Sequence, residues 1–83
     1  MVSIIKRKKK MKPETAKAEL KTLIDEALGI GSTFVEATLE PREYYIYTEV
    51  WYMTTEQLDA IREKVTITTI TVDGGRIMLT ARI

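Results

Sequence analysis

The segment YYIYTEVWY, residues 44–52, is the part of the sequence that decides the fold. It holds five of the six aromatic residues, and its side chains alternate with a period of two, which predicts a β-strand near the middle of a sheet. The alternation directs Ile46 and Val50 toward a core and Tyr45, Tyr47 and Trp51 toward the opposite face. A row of exposed aromatic side chains on so small a chain indicates a surface that binds a partner.

Two helices are predicted, one on each side of this segment. Pro13 suits the first position of a helix that runs to Leu28, and Gly29 suits its left-handed end. Thr54 and Gln57 fit a capping box that starts a second helix. The apolar face of the first helix comprises Ala16, Leu20, Leu23, Ile24, Ala27 and Leu28.

Two hairpins account for the predicted strands. Residues 33–40 and 44–52 fold about Pro41-Arg42, which suits the centre of a turn. Residues 65–73 and 76–83 fold about Gly74-Gly75, which suits a two-residue turn. In the first hairpin the predicted pairs include Val35–Thr48, Ala37–Ile46 and Leu39–Tyr44. In the second hairpin the predicted pairs are Asp73–Arg76, Val72–Ile77, Ile70–Leu79 and Thr68–Ala81. A bulge is expected near Thr68-Thr69. The predicted core face of this hairpin comprises Ile70, Val72, Ile77, Leu79 and Ala81.

These elements predict an α+β fold, a two-layer sandwich in the ferredoxin-like order (β)αββαββ. Two helices cover one face of a mainly antiparallel sheet, and the other face stays open. The optional first strand lies at residues 2–6, within a basic N-terminal arm of residues 1–12. Residues 13–83 form a single domain.

The composition argues against catalysis. The chain has no cysteine and no histidine, so it lacks thiolate ligands, the commonest metal ligand and the usual base near neutral pH. Glu36 and Glu49 are carboxylates expected on one face, but exposed glutamates are more often solvated than catalytic. We therefore expect no enzyme activity, no metal and no cofactor. With no signal or membrane-spanning segment in view, we expect a cytoplasmic protein without a membrane partner. The many Glu, Lys and Ile residues are typical of a thermophile, and the chain looks like small basic-tailed archaeal or viral proteins.

Charge is divided sharply along the chain. The first twelve residues hold six cations and no acid, whereas residues 13–83 hold seven cations and twelve acids, 7 − 12 = −5. Such an arm can neutralise several phosphates and bind nucleic acid without sequence preference. It can also be a solubilising terminus, or fold onto the acidic body or a second subunit. The candidate nucleic-acid-binding residues are Lys6, Arg7, Lys8, Lys9, Lys10, Lys12, Lys17 and Lys21.

The aromatic row has two interpretations. Tyr45 and Tyr47, two residues apart on one strand, resemble the base-stacking aromatics of RNA-recognition domains, although the glycine and basic pattern of that family's strand motif is absent. Glu36 and Glu49 on the same face would repel phosphates and favour a protein partner, including a homo-oligomer formed through open faces or edge strands. The candidate interface or stacking residues are Phe34, Tyr45, Tyr47 and Trp51.

Two functions therefore stay open. The first is a small non-catalytic nucleic-acid-binding module that binds through the basic arm and forms a homodimer. The alternative is a protein-interaction, assembly or inhibitor module whose open aromatic face binds itself or another protein. The sequence does not separate RNA from DNA.

Overall fold

The computed structural model describes residues 13–83, which form two helices and a four-stranded antiparallel sheet. The predicted α+β class is confirmed. The basic arm and the predicted strand at residues 2–6 lie outside the described residues. In chain order the elements are α1 (Pro13–Leu28), β1 (Phe34–Ala37), β2 (Glu43–Tyr47), α2 (Thr55–Arg62), β3 (Thr66–Asp73) and β4 (Arg76–Arg82).

Helix α1 has the predicted bounds and the predicted end. Gly29 adopts a φ of 71°, and the Ile30 N–H donates to the Asp25 carbonyl at 3.0 Å, which is the hydrogen bond of a Schellman motif. Leu23, predicted to lie on the apolar face, is only partly buried because it lies beside the stripe of closest contact. The buried stripe repeats every four residues, at Ala16, Leu20, Ile24 and Leu28.

Helix α2 begins at the predicted capping box. The Thr54 hydroxyl accepts from the Gln57 N–H at 3.1 Å, and the Gln57 side chain accepts from the Thr54 N–H at 2.9 Å. The helix ends at Arg62 after eight residues, and Ile61 is its one buried residue. It is therefore a short helix with a narrow apolar contact.

The register of the first hairpin differs from the prediction by two residues. Val35 lies opposite Ile46, and Ala37 lies opposite Tyr44, where Thr48 and Ile46 were expected. A shift of two preserves the faces, so Val35, Tyr44 and Ile46 are buried as predicted. Leu39, however, was predicted opposite Tyr44 and is fully exposed instead.

A side-chain hydrogen bond at Thr38 explains the shift. Pro41-Arg42 does occupy the turn centre, since the Glu40 carbonyl accepts from the Glu43 N–H at 3.4 Å. The Thr38 hydroxyl accepts from the Glu40 N–H at 2.9 Å, and the Thr38 N–H donates to the Glu43 carbonyl at 3.1 Å. This local bond competes with strand pairing, so Leu39 lies in the five-residue connection 38–42 rather than in the sheet.

The second hairpin largely follows the prediction. Gly74-Gly75 adopt φ angles of 64° and 79°, the left-handed pair that a two-residue turn requires. The expected bulge occurs between Ile67 and Thr69, so Ala81 lies opposite Ile67 rather than Thr68. The pairs Asp73–Arg76, Val72–Ile77 and Ile70–Leu79 are confirmed.

The strand order is β1-β2-β4-β3, which does not confirm the ferredoxin-like order. Strand β4 lies between β2 and β3 and is antiparallel to both, so β2 and β3 run parallel to each other. The connection between them contains α2 and crosses over β4. Both sides of β2 are therefore occupied, one by β1 and the other by β4.

The core lies between the two helices and one face of the sheet. Ile70 and Val72 were predicted to belong to it, but they are 43% and 67% exposed, so this prediction is wrong. Both lie on the edge strand β3, and the eight-residue helix α2 leaves them uncovered. The core residues that the sheet supplies are Val35, Tyr44, Ile46, Ile77, Leu79 and Ala81.

Candidate binding surfaces

The open face is the side of the sheet that points away from the helices. Phe34 lies opposite Tyr47, and Tyr45 lies opposite Glu36 on β1 and Thr80 on β4. The rings of Phe34 and Tyr47 have centroids 6.0 Å apart, and those of Tyr45 and Tyr47 are 6.3 Å apart. Phe34 remains 59% exposed and Tyr45 38% exposed. Three predicted interface residues thus form one aromatic cluster, composed of Phe34, Tyr45 and Tyr47.

The electrostatics of this cluster are set by carboxylates. Burial against its neighbours, and then the negative charge of Glu36, raise the pKa of the Tyr47 phenol above its ordinary value of 10.0. Asp73 adds to the same effect. Arg82, at the other end of the face, lies 3.8 Å from the Glu43 carboxylate. The aromatic cluster is therefore bordered by negative charge, which opposes an approaching phosphate.

Trp51 does not belong to the aromatic cluster. Strand β2 ends at Tyr47, and Thr48 turns inward, where its hydroxyl donates to the Ile77 carbonyl at 2.8 Å. Trp51 instead packs on Tyr52, with ring centroids 4.6 Å apart at 51°. The predicted continuous row is thus split, because the period of two was extended beyond the residues that pair.

Of the candidate nucleic-acid-binding residues, Lys17 and Lys21 lie in the described part of the chain. The Lys21 ammonium lies 2.7 Å from an Asp25 carboxylate oxygen and donates to the Gly31 carbonyl at 3.0 Å, so a phosphate would compete with both. Lys17 is half-buried on the same helix. The six arm residues, Lys6, Arg7, Lys8, Lys9, Lys10 and Lys12, lie outside the described residues.

The carboxylates have structural partners rather than a shared site. Glu43 accepts from the Thr38 hydroxyl at 3.2 Å, and Asp25 accepts from the Thr33 N–H at 3.1 Å. Within residues 13–83, no group of three or more Asp, Glu, His or Cys side chains is placed to hold a metal ion.

The free side of β3 is a surface that the sequence analysis did not identify, although it allowed for pairing through an edge strand. β3 pairs with β4 alone among the described strands, and Ile70 and Val72 are exposed beside this edge. The sequence of α2 indicated that β3 would be exposed, because the eight residues of this helix include only three apolar side chains, Leu58, Ala60 and Ile61. So narrow an apolar face on α2 is too small to cover β3 as well as its neighbours.

Comparison with protein-family models, with curated proteins and with solved structures gave no match for this chain. From Pro13 onward, neither helix has the length and hydropathy to cross a membrane.

Proposed function

We propose that this chain is a non-catalytic nucleic-acid-binding module that uses its basic arm and acts as a homodimer. The observation that carries the proposal is the separation of charge. Six cations stand in residues 6–12, whereas the folded body carries −5 and presents a face bordered by carboxylates. We therefore assign the phosphate contacts to the arm. The dimeric body sets the number of arms and the distance between them.

Neutralising the arm is expected to weaken binding strongly. Replacing Lys8, Lys9 and Lys10 with Gln removes three phosphate contacts, so the affinity for duplex DNA should fall about 100-fold at ~0.1 M salt. The slope of log affinity against log salt concentration should become shallower by about 3. Fluorescence anisotropy of labelled duplex DNA and single-stranded RNA, each at low and moderate salt, measures both quantities.

A matched control removes the same charge from the body. The variant Arg42→Gln, Arg62→Gln, Arg76→Gln changes the net charge equally, and we expect it to keep most of the affinity and slope. Equal losses in the two triple variants would show that net charge matters rather than the arm. No binding of either nucleic acid at low salt would overturn the proposal.

A second function is supported by the open face. The aromatic cluster is exposed beside Glu36, which suits an uncharged or cationic protein surface better than a nucleic-acid backbone. Under this candidate, the aromatic cluster docks a partner protein and the arm adjusts that contact.

Paired serine variants distinguish docking from base stacking. If protein docks here, Phe34→Ser with Tyr45→Ser should change the affinity for single-stranded RNA less than about twofold. If bases stack on these rings instead, the variant should lose ~1–3 kcal/mol of binding free energy for each base that no longer stacks. Trp51→Ser with Tyr52→Ser is the control, since these exposed rings lie outside the sheet. A photo-crosslinker at Phe34 should then give a protein adduct, with one at exposed Ala18 as its control. A nuclease-sensitive adduct, or RNA affinity lost only in the first variant, would favour stacking.

A further inference from the structure

The two edges of the sheet are protected to very different degrees. Edge strand β1 has four residues and carries Glu36, and both features discourage another strand from pairing with it. Edge strand β3 has eight residues without Lys, Arg or Pro, and its only charge is Asp73 at the last position. A long edge of β-branched residues with a single charge at its end is a template for strand addition.

The backbone groups available on that edge can be identified from the hairpin. The residues that flank a two-residue turn exchange hydrogen bonds with each other, and alternate residues along the strand point their N–H and C=O groups away. Counting back from Asp73, these outward groups belong to Val72 and Ile70. The same two residues expose their side chains. A strand added here would satisfy the backbone groups and cover apolar surface together.

We propose that β3 pairs antiparallel with β3 of a second copy of this chain, joining two sheets into one of eight strands. The pairing is isologous, so one edge serves both copies. Charge complementarity supports this occupant. In an antiparallel pair the end of one strand lies beside the start of the other, which brings Asp73 of each copy toward Lys64 of its partner. Both side chains are exposed in the single chain, and the contact occurs twice.

Charge exchange tests this geometry in the full chain. Asp73→Lys or Lys64→Asp alone replaces two attractions with two repulsions, so the dissociation constant of the dimer should rise about tenfold or more. The double variant reverses both charges and should restore the parent value. Sedimentation velocity over a range of protein concentrations measures all four proteins. A monomeric parent, or a double variant as weak as the singles, would overturn the proposal.

A backbone variant removes the need to rely on charge alone. Val72→Pro deletes an outward N–H and leaves the bonds to β4 in place, so the chain should stay folded by circular dichroism and sediment as a monomer. Glu36→Gln, on the opposite edge strand, should leave the dimer unchanged. A Val72→Pro variant that stays dimeric would contradict the assigned edge.

This inference rests on the homodimer in the proposed function, and the two can fail separately. Titrating duplex DNA into the Val72→Pro monomer distinguishes them. If the parent dimerises as proposed but binds no DNA, the edge assignment stands without the nucleic-acid function. If the monomeric variant keeps salt-sensitive binding with a weaker affinity, both stand, because two arms bind one duplex more tightly than one.

Discussion

Ile24→Ala should destabilise the protein by ~2–5 kcal/mol, as measured by urea denaturation followed by circular dichroism. Ile24 is fully buried in the centre of the α1 stripe, so truncation removes apolar contacts and leaves a cavity. A domain of this size has roughly 4–10 kcal/mol of total stability, so the variant should be near its unfolding limit.

Two leucines provide graded controls for Ile24→Ala. Leu39→Ala changes a fully exposed loop residue and should alter the free energy of unfolding by less than about 0.5 kcal/mol. Leu23→Ala should fall between the two, because Leu23 is only partly buried. The apolar pattern of the sequence does not distinguish Leu23 from Ile24, so by pattern alone both would carry the full cost of ~2–5 kcal/mol. If Leu23→Ala costs as much as Ile24→Ala, the described core is wrong.

Asp25→Ala should cost ~1–3 kcal/mol at neutral pH, because hydrogen bonds to a charged group are lost. One oxygen of this carboxylate accepts from Lys21 at 2.7 Å, and the other accepts from the Thr33 N–H at 3.1 Å. Lys21 also bonds the Gly31 carbonyl. The cluster therefore ties the end of α1 to the chain that enters β1. Glu19→Ala, at an exposed position of the same helix, should cost less than about 0.5 kcal/mol.

The Asp25 effect should depend on pH in one direction. Burial alone would raise the pKa of Asp25, but the bonds from Lys21 and Thr33 outweigh it and hold the pKa below its ordinary value of 3.8. A carboxyl whose pKa falls on folding contributes its full stability above pH 3.8 and loses it as pH falls through the folded pKa. The parent should therefore lose more stability than Asp25→Asn as the pH falls below about 3.8. Parallel pH profiles for the two proteins would exclude this cluster as the cause.

Local signals in the sequence were sufficient for much of the fold. Gly29, the Thr54–Gln57 capping box and Gly74-Gly75 each act over a few residues, and each forms the predicted structure. The register of the first hairpin failed because the Thr38 hydroxyl offers the backbone an alternative bond, which a pattern of apolar residues does not reveal.

Features that depend on which helix packs over which strand were harder to predict from the sequence. The alternation in β2 placed Tyr45 and Tyr47 on the correct face, but it could not show that the chain leaves the strand at Thr48. Ile70 and Val72 have the spacing of core residues, and only the reach of α2 decides whether they are covered. The arm's role rests on its charge alone, so its function stays a prediction.

The central position of β4 has a consequence for synthesis. β2 and β3 touch only through β4, which is the last of the four strands to leave the ribosome. Until then Ile46 and the apolar stripe of α1 lack the core residues Leu79 and Ala81 that β4 supplies, and β3 has two unpaired edges. Because β3 can join the sheet only through β4, the four-stranded sheet should be completed in one late step, and the intermediates before it are prone to aggregate.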